Sequence, residues 1–132
     1  MSNNITRGLQ QYKQKVLNDV KRGVAETTAL LHTESSSRAP VDRGYLKKSI
    51  DYKINDGGLS SVVSVGADYA IYVEYGTGLY SEGPGGSRAK KIPWHYIGDD
   101  GEWYTTYGMP AQPFWFPSVD EARRYFKSYF NR

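Results

Sequence analysis

Two histidines, a carboxylate set among tyrosines and a glycine-rich stretch with a basic edge are the residues on which chemistry would draw in this chain. His32 and His95 offer imidazoles for a metal or for general-base work. They lie far apart in sequence, and a zinc site needs three or four convergent ligands, so they read as a helix-end and a hairpin-surface histidine. Glu74 stands between Tyr72 and Tyr75. Glycoside hydrolysis takes a pair of carboxylates, and a single one reads as an ion-pair partner or a helix residue. The run Gly83-Pro84-Gly85-Gly86-Ser87-Arg88-Ala89-Lys90-Lys91 has the glycines and cations of a phosphate loop. It lacks the Gly-Lys-Ser/Thr ending, and no buried strand leads into it, so it reads as a flexible loop with a basic edge. A Gly-x-Ser-x-Gly nucleophile elbow is absent. So is cysteine, which excludes a cysteine nucleophile, a thiolate metal site and a disulfide scaffold together. The expectation is a protein without catalysis, metal or cofactor.

The aromatic residues offer a different chemistry. Trp94, Trp103 and Trp115, with tyrosines nearby, have the makings of a stacking platform for single-stranded nucleic acid or sugar. Basic residues are not interleaved densely enough for nucleic acid, Lys90 and Lys91 being the one adjacent pair in that region. Core and interface packing is the favoured reading, since tyrosine and tryptophan are enriched where proteins meet. An aromatic binding module and a small hydrolase built around Glu74 or His95 stand as rivals.

These residues need a frame. Ile5, Leu9, Tyr12, Val16, Val20, Val24 and Leu31 recur at spacings of mostly four and sometimes three, drawing one apolar stripe along a helix. Ser2, Asn3 or Asn4 can cap it, and Thr33 to Ser37 with Pro40 behind them are expected to end it. Such a helix must lie across a sheet or against a neighbour. Gly23 inside it costs roughly 1 kcal/mol relative to alanine, which a close packing contact would explain. Asp42 to Ile50 reads as a short helix capped by Asp42. Ile50, Tyr52 and Ile54 alternate with polar residues as a strand, Asp56-Gly57-Gly58 is a hairpin turn, and Leu59 to Val65 is the partner strand. Asp68 to Tyr75 suits a helix or a strand; helix is favoured, with Asp68 as cap and Gly76 and Gly78 as terminators. Residues 77–109 form an excursion. It consists of a loop and a second hairpin, Ile92 to Tyr96 and Trp103 to Thr106. Ser118-Val119-Asp120-Glu121 behind Pro117 is a capping-box pattern opening the last helix. Its apolar face is Val119, Ala122, Phe126, Tyr129 and Phe130. The expected fold is α+β in a single domain, 1–132. A long N-terminal helix and a C-terminal helix pack on a small, mainly antiparallel sheet.

No apolar run approaches the roughly 20 residues that span a bilayer, and no secretion signal is expected from MSNNITRGLQ. The formal net charge of +3 is too small to argue for nucleic acid, but it is unevenly spread. Met1 to Lys48 holds nine Lys/Arg against four Asp/Glu, and Ser49 to Ser87 one against five. A basic first third beside an acidic middle suits head-to-tail contact between copies, although solvated helix faces are the favoured account.

Three segments carry a family resemblance. The first contains Pro40, Asp42, Gly44, Leu46, Ser49 and Ile50. The second contains Tyr69, Ala70, Tyr72, Glu74, Gly76, Thr77 and Gly78. The third, Gly108 to Ser118, contains Pro110, Pro113, Phe114 and Pro117. In this order, between a long first helix and a terminal helix, they resemble the siphophage tail-component family of tail-completion or neck proteins from the head–tail joining region. Arg43 stands where the family usually has threonine, and Trp115 where it often has leucine. The resemblance implies a structural virion protein assembled in the host cytoplasm as a homo-oligomeric ring, of six-fold symmetry, around the DNA channel. Its partners would be head-closure, tail-terminator or tail-tube proteins, with no membrane; capping the tail tube as a terminator is the alternative place. Trp94, Trp103, Trp115 and Phe116 become candidates for inter-subunit contact. Lys13, Lys15, Lys21 and Arg22 become candidates for a sequence-independent channel lining.

Overall fold

The apolar stripe forms one helix, α1, spanning Ser2–Arg38, in the computed structural model, which describes residues 2–40, 44–77, 93–97 and 100–132. At 1.5 Å per residue it is about 55 Å long. Ser2, Asn3 and Asn4 lie inside it rather than capping it. Nor do the serines end it. Ser35 is fully buried and its hydroxyl donates back to the Leu31 carbonyl at 2.7 Å, while Ser37 donates to Glu34 O at 2.9 Å. A hydroxyl that bonds its own preceding turn is compatible with a helix, so α1 runs on until Ala39, whose N–H donates to Ser35 O. Pro40 then has no N–H to continue the ladder.

A short helix, α2, follows at Gly44–Lys48; Asp42, its expected cap, lies outside the described residues. Strands β1 (Ile50–Asn55) and β2 (Ser60–Val65) pair antiparallel with Ile50 opposite Val65 and Asn55 opposite Ser60. The turn between them is left-handed at Asp56 (φ 54°), Gly57 (φ 65°) and Gly58 (φ 104°). The ambiguous segment is helical: α3 spans Ala70–Tyr75. Its first backbone bond runs from Ala70 N to Ala67 O, and Tyr69, not Asp68, takes the cap position, with no capping bond from its side chain. Gly76 ends it with φ 81°; Gly78 lies outside the described residues. Strands β3 (Trp94–Ile97) and β4 (Trp103–Thr106) form the second antiparallel hairpin. The last helix, α4, covers Phe116–Phe130.

The fold is therefore α+β, as expected. Among the described residues β1–β2 is the small antiparallel sheet, and β3–β4 is a separate two-stranded ribbon in the excursion. Such a ribbon is marginal alone, and β1–β2 leans on α1. Thr28 bonds Ser61, the His32 ring N–H donates to Ile50 O at 3.1 Å, and the same ring meets Tyr52 edge-on. Only the Ile50 end of β1 reaches the core; Tyr52 and Ile54 stay exposed.

Helix α4 runs antiparallel to α1, since Tyr129 bonds Asp19 O, Tyr125 bonds Glu26 and Arg38 bonds Ser118. Of the expected apolar face, Ala122 and Tyr129 are buried, whereas Phe126 and Phe130 remain about two-fifths exposed. The crossing explains Gly23. A Cβ there would lie 2.7 Å from ring atoms of Tyr129 and Phe130. Gly23→Ala gains about 1 kcal/mol of helix propensity but forces the Tyr129 ring, pinned through its hydroxyl, and overpacking costs about 1–3 kcal/mol. We expect a net loss of about 1 kcal/mol for alanine and more for valine, read as a lower midpoint in urea unfolding. At Gly44, by contrast, a Cβ meets nothing among the described residues; Gly44→Ala is the matching control.

Candidate functional site

The three motif segments converge on one core. Ala39, Leu46, Ile50, Ala67, Val73 and Phe114 are buried together. Leu46 and Ile50 come from the first segment, Val73 from the second and Phe114 from the third. Ser49 closes α2 by donating from Oγ to Leu46 O at 2.7 Å. Tyr69 sets its ring 6.3 Å from that of Tyr45, joining second segment to first, and Tyr72 points outward, 58% exposed.

Glu74 joins the second segment to the third. It is buried, and its carboxylate accepts the backbone N–H of Phe114 at 2.9 Å, of Trp115 at 2.8 Å and of Phe116 at 3.2 Å. These successive N–H groups lead into α4, whose first turns leave donors without intrahelical partners. A carboxylate there also meets the positive end of the helix dipole. Three residues after Glu74, the Thr77 N–H donates to Met109 O at 2.9 Å, and Thr77 Oγ1 accepts from Met109 N at 2.8 Å. Gln112 N donates to Val73 O at 2.8 Å. The return segment is thus laid along α3, and the two ends of the excursion meet at Thr77 and Met109. Pro110 and Pro113 fall at exposed positions on this segment, where no N–H is needed.

This replaces the expected capping box. Ser118 is inside α4, fully buried, and donates to Phe114 O at 2.7 Å. Glu121 reaches α1 instead of its own helix start. Arg38 places Nη1 at 2.9 Å from Ser118 Oγ and Nη2 at 2.9 Å from Glu121 Oε2. Pro117 sits in the first turn of α4, where its missing N–H costs nothing. Distant residues, Glu74 and Arg38, therefore hold the start of α4, and the local pattern at Ser118 concealed them. The Arg38 hydrogen bond, with its charge, holds the Glu121 carboxyl below the usual glutamate range. A lowered carboxyl stabilises the fold above its ordinary range and loses that contribution as pH falls through the lowered value. Arg38→Ala should return the Glu121 titration, followed by its side-chain carbonyl NMR shift, to the ordinary range.

The other candidates are not gathered into a site. His95 Nδ1 lies 2.8 Å from Thr105 Oγ1 of its cross-strand neighbour. Among the described residues no cluster of His, Asp or Glu is arranged to hold a metal ion. No described helix is long and apolar enough to cross a membrane. Trp103 is 69% exposed on β4, while Trp115 is half-buried against the core; the Trp94 side chain lies outside what is described. Lys13 and Lys15 are exposed, Lys21 lays its stem on Gly58, and Arg22 pairs with Glu26 at 3.4 Å. At about 100° per residue Lys15 and Arg22 share a row, whereas Lys13 and Lys21 stand about 80° apart from each other, so the four do not line one face.

Large apolar side chains also stay uncovered. Beside Glu74, a groove of about 360 Å³ is lined by Val65, Ile71, Tyr75, Trp115 and Phe116. Ile71 and Phe116 are 59% and 49% exposed. At the far end of α1, Ile5, Leu9 and Tyr12 are about two-thirds exposed and Val16 is 42% exposed.

Residues 3–76, more than half of the chain, match the family model described as the bacteriophage HK97-gp10 tail-component. The chain belongs to the HK97-gp10 tail-component family. The match spans α1, from its second residue, to the end of α3, and so includes the first motif segment and the second as far as Gly76. The third segment enters the same core through Phe114 and through the bonds to Glu74 and Thr77. Comparisons with curated proteins and with solved structures returned no match. The protein is a structural component of a phage tail, and its place is in the virion.

Proposed function

We propose that this tail component acts at the head–tail junction as a non-enzymatic tail-completion or neck protein. It forms a ring around the DNA channel and joins the tail to the head. One observation carries the reading. Glu74, Thr77, Ser49 and Ser118 spend polar atoms on the chain's own backbone, while large apolar side chains stay uncovered, among them Ile5, Leu9, Tyr12 and Val16 on α1 and Ile71 and Phe116 beside the groove. Glu74, buried among the described residues, spends its carboxylate on three backbone N–H groups, so its charge is committed to the fold. Contiguous apolar surface on a small protein marks a site of association, and two different surfaces that fit each other generate a ring when the rotation closes. The adjoining partners would be head-closure, tail-terminator or tail-tube proteins, and DNA would pass without sequence-specific contact.

The test is the mass in solution by light scattering over a concentration series, combined with antibody labelling of virions. A discrete oligomer near six subunits and label at the head–tail junction support the proposal. Label along the tube or at its distal tip overturns it.

A further inference from the structure

We infer that the free N-terminal stripe of α1 docks into the groove beside α3 on the next copy of the chain, head to tail. The inference rests on the ring reading and names the surfaces that would make it. The two surfaces lie at opposite ends of the molecule. Arg38, at the C-terminal end of α1, bonds the start of α4 next to the groove, whereas Ile5 to Val16 lie at the N-terminal end. Between Val16 and Arg38 the helix rises about 33 Å. A continuous helix cannot fold back to bring its own stripe into its own groove, so a stripe of this kind reaches the groove only from a second chain, here another copy.

The chemistry of the two surfaces agrees. Ile5, Leu9, Tyr12 and Val16 are spaced four, three and four apart, so they form one ridge. Lys13 and Lys15 flank it, each about 80° round the helix. The groove is apolar, and the stretch that builds most of it, Ser49 to Tyr75, carries Asp51, Asp56, Asp68 and Glu74 against Lys53 alone. Glu74 is already satisfied. Asp68 is exposed just before α3, and Asp51, which also accepts its neighbour's N–H from Tyr52, stands opposite the groove residue Ser64. The competing arrangement, stripe on stripe, meets like charge. The first acidic residue of the chain is Asp19, so pairing two stripes would gather Arg7, Lys13 and Lys15 from both copies with no acid among them.

The chain has no cysteine, which makes the test direct. A tagged Leu9→Cys chain and an untagged Ile71→Cys chain are mixed at a concentration where the oligomer forms and treated with a short bis-maleimide. Both positions are exposed in the single chain. The expected result is a cross-link between the two different chains, and a ladder when both changes are in one chain. Leu9→Asp should keep the wild-type circular dichroism and melting temperature while weakening the oligomer at least about 30-fold, the effect of losing a hot-spot residue. Cross-links between two Leu9→Cys chains alone, or an oligomer that forms without the mixed link, overturn the docking and leave the ring reading standing. A wild-type chain that stays monomeric at every concentration overturns the docking as stated. Only label away from the head–tail junction removes the ring reading as well.

Discussion

Glu74→Ala is expected to destabilise the fold by about 3–5 kcal/mol. The change strips acceptors from three backbone N–H groups at once, those of Phe114, Trp115 and Phe116. Each buried donor left without a partner costs about 1–3 kcal/mol. Phe114 is buried, while Trp115 and Phe116 have more access to water, so the total falls short of three full penalties. Glu74→Gln separates the geometry from the charge. Its amide oxygen can still accept from Phe114 and Trp115, but its NH₂ group would face the Phe116 N–H, donor against donor. About half the alanine effect should remain. Urea unfolding followed by circular dichroism measures both. A loss below about 1 kcal/mol for alanine would mean that water replaces the carboxylate, and that Glu74 does not hold the start of α4.

Phe114→Ala should cost a similar amount, about 3–5 kcal/mol, the usual range for emptying a buried aromatic site. Phe114 is 1% exposed and is the largest fully buried side chain. From outside the matched region it packs with Leu46, Ile50 and Val73, which lie inside it. Phe116, two residues on, is 49% exposed, so Phe116→Ala should cost less than about 1 kcal/mol in the monomer. The comparison isolates burial from residue type. Because Glu74 holds the backbone of Phe114 itself, the double variant Glu74→Ala/Phe114→Ala should lose less than the sum. Groups that share a backbone segment are coupled, and the deficit measures how far the carboxylate and the ring act as one anchor.

Much of this protein is set by local rules and is legible in its sequence. The four-and-three spacing from Ile5 to Leu31 dictates a helix because 3.6 residues make a turn. Asp56-Gly57-Gly58 dictates the hairpin because its backbone takes positive φ, which glycine adopts at little cost. The glycine at position 23 implied a close neighbour, and the order of the three segments implied the family. What the sequence could not decide were the partners across distance. Ser118 and Glu121 have the spacing of a capping box, yet Arg38, far away along the chain, takes both, and Glu74 supplies the cap. The serines after Thr33 resemble a helix end, yet burial turns the Ser35 hydroxyl back into its own helix. Likewise Tyr52 and Ile54 alternate as a buried face would, but β1–β2 meets α1 only along part of its length. Spacing along the chain determines which elements form, because helix and turn geometry are local. Which hydrogen-bond donors find which acceptors, and which apolar faces stay open for a neighbour, depend on how the elements cross, and only the tertiary structure decides that.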